Sequence, residues 1–306
     1  MGQSWRQSTM FGVDPEPEVD LNIYHDESGS YAPHGPDRWL LHGVLFVPAA
    51  KQSKVFSSLQ AVRDQAGYAH EVHYRTIGKS ASGPKVRCCM GWLERYARQL
   101  SEFCWYHCLA VDVRSEQFRH DEFREPHHVY NYFARVAIVG GIAWCLKPFP
   151  RVAAILHSDD KARVEGDNFD QYIPREVCRT IDEKRRKRRA AYPELRLLAP
   201  RVVLVPSDPA EVDAGMAEEC ELTQLVDLLT SAVGQALSSS SARMGKVVLG
   251  RTVATWIHNT RKPPWLQSEE LHRRFSVSCF PDAQGRFYDP TLAVTTREQP
   301  RLFGDE

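Results

Sequence analysis

Two adjacent carboxylates close the first apolar run of the chain. In Leu21-Asn22-Ile23-Tyr24-His25-Asp26-Glu27-Ser28-Gly29, an alternating, strand-like segment stops on two acids and a glycine. Folding gains nothing from negative charge at the end of a core strand. An unpaired buried carboxylate is costly, so acids in that position hold a cation or sit in water. The pattern returns twice: Asp159-Asp160 follow a second apolar run, and Asp227 stands inside the apolar stretch Leu222 to Leu229. Three separated acids, each at the end or on the inner face of a core element, point to one metal site assembled from distant sequence.

The chemistry such a site suits is phosphodiester hydrolysis. It needs an activated water, an oriented phosphate and charge stabilisation on the leaving oxygen, and two divalent ions about 4 Å apart supply all three. Carboxylate oxygens suit hard ions, so Mg2+ or Mn2+ is expected. Asp26 would bridge both ions, Asp159 or Asp160 would bind from a later strand, and Asp227 from a helix. Glu27 points away from Asp26 if the strand continues and joins it if the chain turns there. Lys161 would contact phosphate or pair with an acid. Gln224 and Glu221 lie one and two turns before Asp227, as a positioning group and an extra ligand. Glu71 and His73 share a face if extended and could add a fourth ligand and a general acid or phosphate contact. Each feature also has a plain structural reading: a polar turn for Asp26-Glu27, a helix N-cap for Asp159, a surface loop for Glu71 and His73, a solvent face for Asp227.

Positive charge is concentrated rather than general. Lys+Arg and Asp+Glu both number 39, so the net charge of +0 implies no partner. Lys184-Arg185-Arg186-Lys187-Arg188-Arg189 project all round a helix, where a polyanion would relieve their repulsion. A solvated helix end, where cations suit the dipole, is the competing reading. Lys79, Lys85 and Arg87, with Tyr74, would extend a backbone-binding groove. Gly78-Lys79-Ser80 resembles the end of a phosphate-binding loop, but His73 stands where the first glycine would be. The eight cysteines form no Cys-x-x-Cys pair and indicate a reducing, cytoplasmic setting. Cys104, His107 and Cys108 alternate along a strand-like run and read as core residues rather than a zinc site. His127-His128 open a helix. No run is long enough for a membrane span.

The elements that must position these groups alternate. Strands are expected at 21–26, 39–47, 103–113, 152–157 and 201–205, and helices at 51–66, 86–100, 127–146, 168–191 and 217–237. Strand–helix alternation favours parallel pairing. Right-handed connections place the fourth strand beside the first, which brings Asp26 and Asp159 together. Beyond Lys246, Val247-Val248-Leu249 reads as a strand and 268–275 as a helix.

The ordered motifs Tyr24-His25-Asp26-Glu27-Ser28-Gly29, Glu71-Val72-His73, Leu156-His157-Ser158-Asp159 and Gln224-Leu225-Val226-Asp227-Leu228-Leu229 resemble the domain of unknown function 3800 family, over roughly residues 20–240. Val226 replaces the small residue usual before the last aspartate, and Asp160 leaves the strand-four ligand open. The resemblance implies a ribonuclease H-like α/β fold: a mixed five-stranded sheet flanked by helices over 21–245, with a helical insertion at about 51–100. A flexible tail at 1–20 and a C-terminal extension at 246–306, packed on the core, would complete the chain. It also implies a two-metal nuclease acting on DNA or RNA, with Asp26, Glu71, Asp159 and Asp227 as catalytic metal ligands. The alternatives are a non-catalytic nucleic-acid-binding module and a homo-oligomer or partner subunit of a larger complex for phage defence or mobile elements.

Overall fold

A computed structural model describes residues 18–32, 35, 37–161, 164–187, 192–259 and 274–294. The expected tail at 1–20 overlaps β1 by three residues, because the strand already runs over Glu18–Ser28; residues 1–17 lie outside the described part. The other strands are β2 (Trp39–Pro48), β3 (Trp105–Asp112), β4 (Arg151–Asp159), β5 (Glu194–Leu197), β6 (Val203–Val205) and β7 (Phe275–Phe280). The helices are α1 (Gln52–Ala66), α2 (Pro84–Arg98), α3 (Pro126–Cys145), α4 (Phe169–Lys187), α5 (Ala217–Ser238) and α6 (Met244–Asn259). No helix among the described residues is long and apolar enough to cross a membrane.

The protein is an α/β fold with one mixed seven-stranded sheet flanked by helices, in the order β5-β4-β1-β2-β3-β7, with β6 also on β4. Five strands were expected. The two extra ones are β5, a four-residue edge strand whose Glu-Leu-Arg-Leu carries almost no apolar signal, and β7. As expected, β4 lies parallel to β1, while β2 is antiparallel to β1 and β3. Parallel pairing of β7 with β3 makes the C-terminal segment part of the sheet rather than a layer packed on it. The boundary drawn at 245/246 falls inside α6. The expected strand Val247-Val248-Leu249 is helical there, because Leu249, Val253, Trp256 and Ile257 recur at helical spacing and bury one face. The helix expected at 268–275 falls mostly outside the described residues, and Phe275 opens β7.

Strand alternation sorts the core into two layers. Tyr24, Leu41, Leu45 and Tyr106 pack against α1, α2, α5 and α6 on one face. Ile23, Val44, Phe46 and Leu109 pack against α3 and α4 on the other. The expected insertion at about 51–100 therefore supplies α1 and α2 to the first layer. The cysteines at and just before β3 behave as core residues: Cys104 and Cys108 sit in the first layer, and His107 faces the second, 3.3 Å from Ser276 Oγ.

Helix α5 is buried on nearly every side because the sheet lies beneath it and α1 and α6 lie above. Its close approach depends on Gly43, the β2 residue paired with Asp26. A Cβ on Gly43 would collide with the Thr230 hydroxyl, which itself donates to Val226 O at 2.7 Å and lies 3.0 Å from the Tyr106 hydroxyl. Gly43→Ala should push α5 off the sheet and lower the unfolding free energy by about 1–3 kcal/mol, measured by urea denaturation.

Candidate functional site

The three acids singled out by their positions all face one cleft of about 480 Å³. Parity explains two of them. Asp26 lies two residues beyond Tyr24, which faces α5, and Asp159 lies two beyond His157, whose ring stacks on Tyr24 at 4.7 Å. Both carboxylates therefore emerge on the α5 side, at the ends of neighbouring parallel strands. Asp227 comes down onto them from α5. Ser28 Oγ and Ser231 Oγ, 3.1 Å apart, tie the end of β1 to that helix.

A lysine stands among these carboxylates. Lys161 Nζ is 2.7 Å from Asp26 Oδ1, 3.2 Å from Glu27 Oε1 and 3.7 Å from Asp159 Oδ2. Glu27 joins the group although β1 continues to Ser28, so its side chain leaves from the opposite face. Lys161 lies just past the end of β4 and can reach both faces at the sheet edge. Burial works against an ammonium, but the charges of Asp26, Glu27 and Asp159 outweigh it and hold Lys161 above its ordinary value. Burial pushes the Asp26 carboxyl up to about 8; Lys161 opposes this, and the charges of Asp227 and Glu27 add to it. Burial likewise raises Asp159, whose Oδ1 is enclosed and makes no hydrogen bond.

Asp227 is handled differently. Burial alone would raise it, yet its donors outweigh burial and hold it below the usual carboxylate range. Those donors are the Tyr74 amide at 3.1 Å, the Ser231 hydroxyl at 3.1 Å and His73 Nδ1 at 3.3 Å. The same contact raises His73 above its ordinary value. Glu71 lines the cleft too and accepts from Ser207 Oγ at 3.3 Å. Among the described residues, no three acidic, histidine or cysteine side chains already form a metal cage. Lys161 is the cation that joins them.

Other expected site residues are placed elsewhere. Asp160 is exposed and outside the cleft, its amide donating to Val205 O at 2.9 Å, so Asp159 is the strand-four acid of the cleft. Glu221 is not in the cleft: Arg63 grips it at 2.6 and 2.8 Å on the α1 side of α5. Gln224 does line the cleft, accepting from the Val72 amide at 2.7 Å and from Arg63 at 2.8 Å. That bond fixes the segment carrying Glu71 and His73. The segment is irregular, as its polar, glycine-containing sequence implied.

The expected backbone-binding cations do not line the cleft. Lys79 is exposed, Lys85 reaches Thr76 and the Tyr68 ring, and Arg87 holds the carbonyls of Ser82 and Ala66 at 2.7 and 3.2 Å. Lys184, Arg185, Arg186 and Lys187 end α4 on the far side of the sheet, where Arg185 meets Glu194 at 3.2 Å; Arg188 and Arg189 lie outside the described residues. The cations that do line the cleft besides Lys161 are Arg38, Arg75 and Lys246, the last 4.7 Å over the Tyr74 ring. Isolated cations in loops and at a helix start carry no periodic signal, so sequence reasoning had no handle on them. A second groove, of about 850 Å³, lies on the α3 face, is mostly apolar and has Asp289 as its one acid among the described residues.

The two kinds of acid separate experimentally. Arg63→Met strands the buried Glu221 carboxylate and should cost about 3–5 kcal/mol of unfolding free energy. Asp160→Ala, at an exposed position, should stay within about 0.5 kcal/mol of the parent in the same denaturation assay. No family model matches the chain, and no curated protein matches it.

Proposed function

We propose that this cleft is the active site of a Mg2+- or Mn2+-dependent nuclease that hydrolyses phosphodiester bonds of DNA or RNA. The observation that carries the reading is the convergence of Asp26, Asp159 and Lys161 with Asp227 in one cleft, drawn from β1, β4 and α5. The order β3-β2-β1-β4 with β2 reversed, and a helix crossing the sheet at Asp26, is the arrangement a ribonuclease H-like fold would have. It supports the resemblance to the domain of unknown function 3800 family.

The donors suit a hard divalent ion. They are carboxylate oxygens, they already gather round a positive charge, and Asp159 Oδ1 is an enclosed acceptor with no hydrogen bond. Asp26, Asp159 and Asp227 would hold the metal, with Glu71 at the rim. A bound divalent ion would lower the pKa of a water and take up charge on the phosphoryl oxygens. The protein's own groups do the rest. Arg75 and Lys246 put cations on the cleft wall, where a phosphate backbone would lie, while Arg38 beside them is paired with Asp112 at 2.7 Å. In hydrolysis the water releases a proton to solvent as its oxygen bonds to phosphorus, the bond to the leaving sugar oxygen breaks, and that oxygen takes up a proton. His73, half-buried and shifted upward by its bond to Asp227, is placed to give it.

Asp26→Asn should leave the protein folded and remove divalent-dependent cleavage of labelled DNA or RNA by at least about 100-fold, roughly 3 kcal/mol of barrier. Asp159→Asn and Asp227→Asn should behave alike, and Asp160→Asn should cleave normally. Wild-type cleavage by folded Asp26→Asn protein would refute the assignment. The pH dependence has a definite sign. Only ionised Asp26 binds a metal, and its carboxyl sits at about 8 without one. Affinity for Mn2+ should therefore climb as pH rises toward about 8 and level off above it, measured by titration calorimetry.

A further inference from the structure

Two cations were expected between Asp26 and Asp159, and the molecule already has one there. Lys161 Nζ spans β1 and β4 by touching Asp26 at 2.7 Å and Asp159 at 3.7 Å, the bridging position a first ion would take. We propose that the Lys161 ammonium permanently fills one of the two cation positions, so that the cleft takes a single divalent ion. The inference rests on the metal-dependent reading above.

Three observations lead to it. First, the ammonium is tethered and cannot leave. Lys161 lies two residues after Asp159 and its amide donates back to Asp159 O at 3.2 Å. The residue between is anchored by the Asp160 amide on Val205 O at 2.9 Å. An intramolecular cation on so short a leash has a high effective concentration, against which a free ion must compete. Second, Lys161 meets three carboxylates and is only 31% exposed, with Asp26 at 6%. A Mg2+ on the same Asp26 oxygen would sit within a few ångströms of the ammonium, and two positive charges that close repel strongly away from bulk water. Third, the acceptors Lys161 leaves over lie on the other side of the cluster. Asp159 Oδ1 has no donor, and the Asp227 oxygens meet the Tyr74 amide, Ser231 and His73 but no full-time cation. One ion completes that half; a second would have to evict the lysine.

Lys161 thus has two roles. It neutralises buried charge when no metal is bound, and it acts as a fixed point charge beside the phosphate when one is. Lysine suits this as a compact charge on a flexible stem, whereas the planar guanidinium of arginine would not fit the same point.

The test counts ions rather than turnover. Equilibrium dialysis and titration calorimetry with Mn2+ would be run on the full chain as wild type, Lys161→Met and Lys161→Gln. The expected result is one Mn2+ per chain for wild type and two for each variant. Two ions on the wild type would overturn the proposal while leaving the nuclease reading intact. One ion on a folded variant would also overturn it, because Lys161 would then have blocked nothing. No Mn2+ on any of the three would refute both readings together. Removing the lysine leaves buried carboxylates uncompensated, so both variants should melt below wild type in chelator and regain stability with Mn2+. If neither variant folds, the wild-type count decides alone.

Discussion

Carboxylates brought into a protein interior destabilise it unless each one meets a cation or a set of donors, and this molecule brings in several at one place. Asp26, Glu27 and Asp159 meet Lys161, while Asp227 meets a backbone amide, a hydroxyl and an imidazole. The rest of the fold is arranged around making that possible. Parallel pairing of β4 with β1 puts two of the acids side by side, and Gly43 lets α5 come low enough to add the third. A sheet without the glycine, or with β4 elsewhere, would leave the same residues scattered and solvated.

The two solutions to buried charge have different consequences. Asp227 is held below the usual carboxylate range by donors that are neutral or titratable. Asp26 is raised by burial, against the pull of Lys161, and its anionic neighbours add to the rise. The cleft thus holds one carboxylate that burial raises and one that its donors lower.

Much of this was legible in the sequence, and the reason differs from residue to residue. Asp26 and Asp227 stood out because a charge among apolar residues has few structural explanations, and Asp159 because parallel pairing predicts where strand four lies. The long core elements were readable from their periodicity, but β5 was too short and polar to register, and Val247-Val248-Leu249 was an apolar triplet that fits either period until its neighbours are counted. Glu221 was misjudged for a physical reason. Sequence spacing puts it near the Asp227 face of α5, but only tertiary packing reveals that Arg63 reaches it from α1. The basic run on α4 drew attention by density alone. The scattered cations Arg38, Arg75 and Lys246 were invisible because proximity in space was their only common property.

Gln224 has a wider reach than its single side chain suggests. It receives Arg63 from α1 on one side and the Val72 amide on the other, so α1, α5 and the segment bearing His73 share one buried polar node. Such a node behaves like a jig: the imidazole inherits its coordinates from an α1 arginine ten residues upstream of it. Drift at residue 63 therefore has to be matched at 221 and 224, and a chimera that exchanged α1 without α5 would keep its core volume yet deliver His73 to the wrong place.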